Sequence, residues 1–189
     1  EGIIRNLPQF SSFLEIVALS DTEQVNYTTI ARDCGISSVT VKNYFQILED
    51  TLLGSFLQVY RKRPKRRISL SPKFYFFDIG LVNHLARRGN ITHKSELFGK
   101  AFENYIFHEL KTYSSYSELY FPLSFWRLSS GIEVDFILGD MEVAIEIKTS
   151  GNIKSEHLKY LREIRQDYPS LRRFICVSLE QRARITEDR

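Results

Sequence analysis

Two segments that alternate apolar and charged residues flank Gly139-Asp140, and they constrain the fold more than any other feature of the sequence. Residues 132–138 and 142–149 repeat with a period of two, which is typical of strands because successive side chains point to opposite faces. A turn at Gly139-Asp140 joins them into a hairpin with one apolar face and one charged face. The charged face carries Glu133, Asp135, Glu142, Glu146 and Lys148.

A two-residue turn at this dipeptide also fixes the register of the hairpin. It predicts that Asp135 lies opposite Ala144 and that Glu133 lies opposite Glu146. Asp135 and Glu146 are then diagonal neighbours, about 7 to 8 Å apart at the backbone, and their side chains can converge. The alternative interpretation is a solvated sheet surface, because a hairpin with one wet face alternates in this way by default.

The two carboxylates predict a site for a hard divalent cation. Mg²⁺ prefers oxygen ligands and is typically held by one or two carboxylates, waters and substrate phosphates, so we expect Asp135 and Glu146 to bind Mg²⁺ or Mn²⁺. Lys148 lies two residues further along the same face. It is suited to orient or deprotonate the attacking water, or to stabilise charge on a phosphate.

The elements around the hairpin predict the order helix, strand, strand, strand, helix, strand. A helix is expected over residues 97–110, a first strand over 123–128, and a second helix and last strand over 155–166 and 174–177. The second half is therefore predicted to be an αβββαβ domain with a mixed central sheet.

Residues 28–53 predict two helices joined by a tight turn. Gly35 can end the first helix with a positive φ, Ile36 can fill the angle between the helices, and Ser37 can cap the second. The pattern resembles a winged helix-turn-helix, in which the second helix enters a DNA major groove. A helical hairpin that docks other proteins is the alternative. The candidate DNA-contacting residues on the second helix are Thr40, Lys42, Asn43 and Gln46.

Six cations surround Pro64 immediately after this region, and a β-hairpin tip or wing is the expected structure. Such a wing would contact phosphates, although a solvated loop is the alternative and the net charge of +3 permits nucleic-acid binding without requiring it. The cations are Arg61, Lys62, Arg63, Lys65, Arg66 and Arg67.

The second half resembles the restriction-endonuclease-like, or PD-(D/E)XK, nucleases. Glu133-Val134-Asp135 and Glu146-Ile147-Lys148 match the Asp…(Asp/Glu)-x-Lys signature, with Val134 in place of the proline of many members. The resemblance implies a catalytic set of Asp135, Glu146 and Lys148. It also implies that an acidic residue of the first helix, Glu103, joins the site.

The tandem order is similar to the C-terminal region of prokaryotic AAA+-type ATPases that carry a domain of unknown function. The resemblance implies that an ATPase domain of the same full-length chain is a partner, in agreement with a first residue that is Glu1 and with the lack of a Walker A motif. We therefore expect no nucleotide site in this sequence. DNA is the other expected partner.

Composition and the placement of glycine and proline predict the fold class and the domain boundary. The fold class is α+β or α/β, with a winged helix-turn-helix over residues 1–90 and the endonuclease-like domain over 91–189. The apolar runs are too short to span a bilayer, and the cysteines Cys34 and Cys176 lie far apart, which favours a reducing cytoplasm. Two functions stay open: a DNA-associated Mg²⁺-dependent nuclease, and a non-catalytic DNA-binding or protein-docking module that serves the ATPase domain.

Overall fold

A computed structural model of the chain describes residues 6–61, 71–93 and 95–186. These residues contain six α-helices, one 3-10 turn and six β-strands, so the chain is of mixed α and β class. They divide into two compact units, the first within residues 1–59 and 70–120 and the second within 60–69 and 121–189. None of the described helices combines the length and the apolar composition that crossing a bilayer requires.

Five helices and two strands make up the first unit among the described residues. In chain order they are α1 (Leu7–Leu19), α2 (Tyr27–Cys34), α3 (Ser38–Asp50), β1 (Gly54–Val59), β2 (Lys73–Phe76), α4 (Ile79–Leu85) and α5 (Glu96–Tyr116).

The turn between α2 and α3 forms as the sequence predicts. Gly35 ends α2 in the left-handed region, with φ 64° and ψ 34°, where a residue with a Cβ would be strained. Ile36 is partly buried against the core of the first unit. The Ser37 hydroxyl accepts a hydrogen bond from the backbone N–H of Thr40 at 3.0 Å and caps α3. The two predicted helices are therefore confirmed.

The core of the first unit is rich in aromatic rings. Phe45 of α3 lies edge-on to Phe13 of α1 and Phe74 of β2, with ring centroids 5.1 and 4.9 Å apart. Each of the three rings is no more than 1% exposed, and burial of such a side chain contributes about 1.5 to 3 kcal/mol. Gly54 of β1 makes room for this packing, because a Cβ there would come within 2.5 Å of the Phe74 ring.

A buried carboxylate links the end of α1 to β2 and α5 in the first unit. One oxygen of Asp21 accepts the backbone N–H of Phe76 at 2.8 Å, and the other accepts the side-chain amide of Asn104 at 2.9 Å. Asn104 also donates to the Phe76 carbonyl at 3.0 Å. Burial raises the pKa of Asp21 to about 7, although both hydrogen bonds oppose this change.

The second unit contains four strands and one α-helix among its described residues: β3 (Leu123–Arg127), β4 (Glu133–Leu138), β5 (Val143–Lys148), a 3-10 turn (Ser155–Leu158), α6 (Lys159–Asp167) and β6 (Arg173–Ser178). The pairs β3–β4 and β4–β5 are antiparallel and β5–β6 is parallel, so the predicted mixed pairing is confirmed. With α5, the chain order is the predicted helix, three strands, helix, strand.

The grouping of α5 differs from the predicted domain division. Its residues follow the boundary expected near residue 90, yet they belong to the first compact unit. The division into domains over 1–90 and 91–189 stays a prediction, because the compactness of a unit does not by itself define a domain boundary.

The turn between β4 and β5 is longer than predicted. Leu138 pairs with Val143 and Ile137 with Ala144, so residues 139–142 form the turn. The predicted pairs of Asp135 with Ala144 and of Glu133 with Glu146 are therefore wrong. The burial of Met141 explains the difference. Its side chain is only 2% exposed within the core, so Met141 is part of a longer turn that lets its side chain reach the core. The register moves by two residues, so Glu146 and Lys148 of β5 keep their predicted face, whereas Glu142 lies in the turn.

A β-bulge interrupts the pairing of β3 with β4. Ser124 pairs with Ile137 and Trp126 pairs with Val134, so one residue of β3 faces two residues of β4. Those two residues of β4 are Asp135 and Phe136. Bulges bend a strand and redirect its side chains, and Asp135 is thus part of a local irregularity of β4.

Candidate functional site

The Asp135 carboxylate is held against β5. The β4–β5 ladder runs as far as the pair Phe136 and Ile145. Immediately beyond it, the backbone N–H of Ile147 donates to Oδ2 of Asp135 at 2.7 Å. The bulge at Asp135 and this hydrogen bond fix the orientation of the carboxylate at the point where the regular ladder ends.

Glu146 and Lys148 share a face of β5, as the two-residue period requires. The Lys148 Nζ lies 2.5 Å from Oε1 of Glu146. The Glu146 side chain is only 3% exposed, whereas that of Lys148 is 30% exposed. The ion pair therefore compensates a carboxylate that is nearly removed from solvent.

The three residues are electrostatically coupled. Burial acts to lower the pKa of Lys148, but the negative charges of Glu146 and Asp135 outweigh it and raise this pKa above its ordinary value. The structure thus brings together three of the four predicted catalytic residues. We call Asp135, Glu146 and Lys148 the acidic site.

The strand β6 contributes neighbours that the sequence did not reveal. Cys176 pairs with Glu146 and Ser178 pairs with Lys148 in the parallel register of β5 and β6. Burial raises the pKa of the Cys176 thiol, and the Glu146 carboxylate raises it further. A helix between two apolar strands is the signal for such a parallel pair, but the length of the connection leaves the register open.

The acidic site has the donor chemistry that Mg²⁺ or Mn²⁺ requires. It offers two carboxylates from neighbouring strands, and the hydrogen bond to Asp135 and the ion pair to Glu146 hold both in position. In the part of the chain that the structure describes, no group of three or more His, Cys, Asp or Glu side chains is arranged as a metal site. Two carboxylates with waters and a substrate phosphate suffice for Mg²⁺.

Glu103 has structural partners within the first unit. Its Oε1 accepts hydrogen bonds from the Lys73 ammonium at 2.8 Å and from the Tyr75 hydroxyl at 2.6 Å. The Lys73 side chain is 4% exposed and that of Glu103 is 17% exposed, so this is a largely buried ion pair. Participation of Glu103 in the acidic site stays a prediction.

The helix α3 presents an exposed face with a regular spacing. Val39, Lys42, Asn43 and Gln46 are exposed at intervals of three and four residues, and Val39 is 67% exposed. Thr40 is half-buried, and its hydroxyl lies 2.9 Å from that of the Ser37 cap. Val39 is apolar, and the polarity of the sequence therefore does not identify it as part of this face.

Most of the basic run lies outside the described residues. Arg61 is described and exposed. The predicted wing and its phosphate contacts therefore stay predictions. The residues of this prediction for which the structure gives no description are Lys62, Arg63, Lys65, Arg66 and Arg67.

Comparison with known families divides the chain into two parts. Residues 1–92 match the family model of a Domain of unknown function (DUF8612). Residues 98–188 match the family model of another Domain of unknown function (DUF4143). The DUF4143 part includes Glu103 and the whole acidic site. DUF4143 domains are commonly found in AAA-ATPase-associated proteins. No curated protein and no solved structure matches the chain.

Proposed function

We propose that the DUF4143 part carries a divalent-metal-dependent phosphodiesterase site with a restriction-endonuclease-like fold, in a DNA-associated region that serves an AAA+-type ATPase domain. The observation that carries this proposal is the convergence of Asp135, Glu146 and Lys148. The αβββαβ order and the bulge at Asp135 support it. An isolated charged sheet surface would not bury Glu146 beside Lys148.

Each residue has a distinct role in this proposal. Asp135 and Glu146 bind the cation, which supplies Lewis acidity at the scissile phosphate. The Ile147 N–H fixes Asp135, so little reorganisation is needed when the substrate arrives. The Lys148 ammonium, which contacts Glu146 and is partly exposed, orients the attacking water or stabilises negative charge on the phosphate.

DNA association rests on the first unit. Its first three helices, α1 to α3, and the β1–β2 pair follow the element order of a winged helix-turn-helix. The exposed residues Lys42, Asn43 and Gln46 lie on one face of α3, where a recognition helix presents donors and acceptors to base edges. The basic run after β1 supplies further cations for phosphates.

The test is DNA cleavage by single-residue variants of the complete chain. Supercoiled plasmid and single-stranded DNA are incubated with Mg²⁺ or Mn²⁺, and products are resolved on gels. We expect Glu146→Gln and Lys148→Met to reduce the cleavage rate by about 100-fold or more, as loss of a charged transition-state contact does. The matched controls Glu142→Gln and Lys154→Met change exposed residues and should keep the wild-type rate. Equal activity of all four variants would contradict the assignment.

One observation favours the non-catalytic alternative. The Glu103 carboxylate is occupied by Lys73 and Tyr75, which suits a structural role rather than a catalytic one. This alternative predicts salt-dependent DNA binding by the wild-type protein and no cleavage with either cation. Cleavage by the wild-type protein and the control variants that is lost in the Glu146→Gln variant would exclude this alternative.

A further inference from the structure

The second unit contains a cavity of about 590 Å³ between α6, β6 and residues 180–186. This volume lies within the range of sites that hold small molecules or single units of a polymer. Its apolar wall includes Ile153, Leu161 and Phe174. Among the described residues, its polar lining includes four arginines and one carboxylate, that of Glu180.

The single carboxylate is already compensated. The Arg184 guanidinium contacts both oxygens of Glu180, at 2.9 and 3.1 Å, and the backbone N–H of Ile153 donates to the same carboxylate at 2.6 Å. Three further arginines line the cavity, so the described lining residues carry a positive surplus. Such a surplus favours an anionic ligand.

Two of these arginines are available for a ligand. Arg165 is exposed and lies over the Phe174 ring, with 5.7 Å between the guanidinium carbon and the ring centroid. Arg182 is exposed on the C-terminal segment. Neither forms an ion pair with any residue in the described part of the chain. A planar guanidinium fork matches the oxygens of a phosphate group.

The cavity adjoins the acidic site through the sheet. Cys176 and Ser178 line the cavity, and they pair with Glu146 and Lys148 on the neighbouring strand. Adjacent strands are about 4.8 Å apart, and paired residues share a face. A ligand in the cavity therefore lies beside the strand that carries Glu146 and Lys148.

We propose that this cavity binds one nucleotide unit of a nucleic-acid strand, with its phosphate on Arg165 and Arg182 and its sugar and base against the apolar wall. The bound nucleotide neighbours the phosphodiester at Asp135, Glu146 and Lys148, so the inference rests on the proposed function. It assigns the cavity to substrate positioning, a role that the cation site alone does not provide.

The experiment measures binding of a fluorescein-labelled 12-nucleotide single-stranded DNA by fluorescence anisotropy, with EDTA present to prevent cleavage. The Arg165→Gln/Arg182→Gln variant should weaken binding by about tenfold or more, because two charge-assisted phosphate contacts are lost. The matched variant Arg172→Gln/Arg173→Gln removes the same charge from exposed residues outside the cavity lining and should change the affinity by less than about twofold. Equal effects of the two double variants, or no effect of the first, would overturn the proposal.

A single-residue variant and a competition with AMP complete the experiment. Arg182→Gln alone changes an exposed residue that has no ion pair with the described residues, so a folding defect is not expected. The affinity of this variant for the 12-mer should fall about threefold or more. In the competition, AMP is added at the same concentration as the 12-mer. Displacement of the 12-mer by this AMP would overturn the assignment to a nucleic-acid strand and identify a site for free nucleotides.

The inference and the proposed function fail independently. Loss of binding in the Arg165→Gln/Arg182→Gln protein, with no cleavage by any protein, would refute the nuclease but keep the cavity as a nucleic-acid site. Cleavage that depends on Glu146, with unaltered binding by the arginine variant, would refute the cavity assignment alone.

Discussion

The buried Asp21 carboxyl makes the stability of the first unit depend on pH in an unusual direction. Burial is the main cause of its raised pKa, the negative charge of Glu103 adds to it, and the hydrogen bonds from Phe76 and Asn104 and the charge of Arg88 oppose it. The native carboxyl therefore keeps a proton in a pH range where the unfolded chain has released it. The free energy of unfolding should fall as the pH rises from about 4 to about 7.

The size of this effect follows from the pKa values. The pKa rises from the ordinary value of 3.8 to about 7 in the folded state. One pKa unit corresponds to about 1.4 kcal/mol, so the Asp21 contribution to the free energy of unfolding falls by about 4 kcal/mol in total. More than half of this decrease lies between pH 5 and pH 8. Above pH 8 the contribution is constant.

The perturbation is Asp21→Asn, which removes the titrating group at nearly the same volume. Urea unfolding is followed at pH 5, 6, 7 and 8 by far-UV circular dichroism, because the first unit holds five of the six described α-helices, whereas Trp126 lies in the second unit. The free energy of unfolding of the variant relative to wild type should increase by about 2 to 3 kcal/mol from pH 5 to pH 8. The exposed Asp33→Asn control should show no such trend. A constant difference between Asp21→Asn and wild type would refute the reasoning.

Three further predictions concern other contacts of the first unit. Glu103→Gln removes the ion-pair partner of the buried Lys73 and should lower the free energy of unfolding by about 3 kcal/mol in urea titrations, and a loss under 1 kcal/mol would contradict the contact. Ser37→Ala removes the cap of α3 and should cost about 1 kcal/mol in the same assay, whereas Ser38→Ala, next to it, should cost less. Lys42→Gln should weaken duplex DNA binding and reduce the slope of log affinity against log salt by about 0.9, a change that the exposed control Lys159→Gln should not produce.

The local features of the fold could be read from the sequence because their causes are local. Gly35 and Ser37 act within one turn of their helices, and the alternation of β4 and β5 reflects the geometry of a strand. The shared face of Asp135 and Glu146 was predictable for the same reason. The exact register of β4 and β5 was not predictable, because burial of Met141 in the turn is a tertiary effect.

The remaining parts of the candidate site depend on contacts between distant segments. The bulge at Asp135 and the hydrogen bond from Ile147 arise only when the strands are paired, and no sequence pattern encodes them. Cys176 reaches Glu146 through a parallel register whose alignment the connecting helix leaves open. The arginine cavity likewise needs a terminal segment to fold against α6 and β6. The charges of the acidic site are therefore evident in the sequence, whereas its surroundings are not.

The central claim is that Asp135 and Glu146 together hold a divalent cation, and Mn²⁺ binding tests it most directly. Electron paramagnetic resonance of free Mn²⁺ is recorded while wild-type protein, Asp135→Asn, Glu146→Gln and the exposed control Glu142→Gln are titrated. We predict about one bound Mn²⁺ per wild-type and per control chain, and a loss of affinity of about tenfold or more in each site variant. No Mn²⁺ binding by wild type, or the same affinity in all four proteins, would contradict the account.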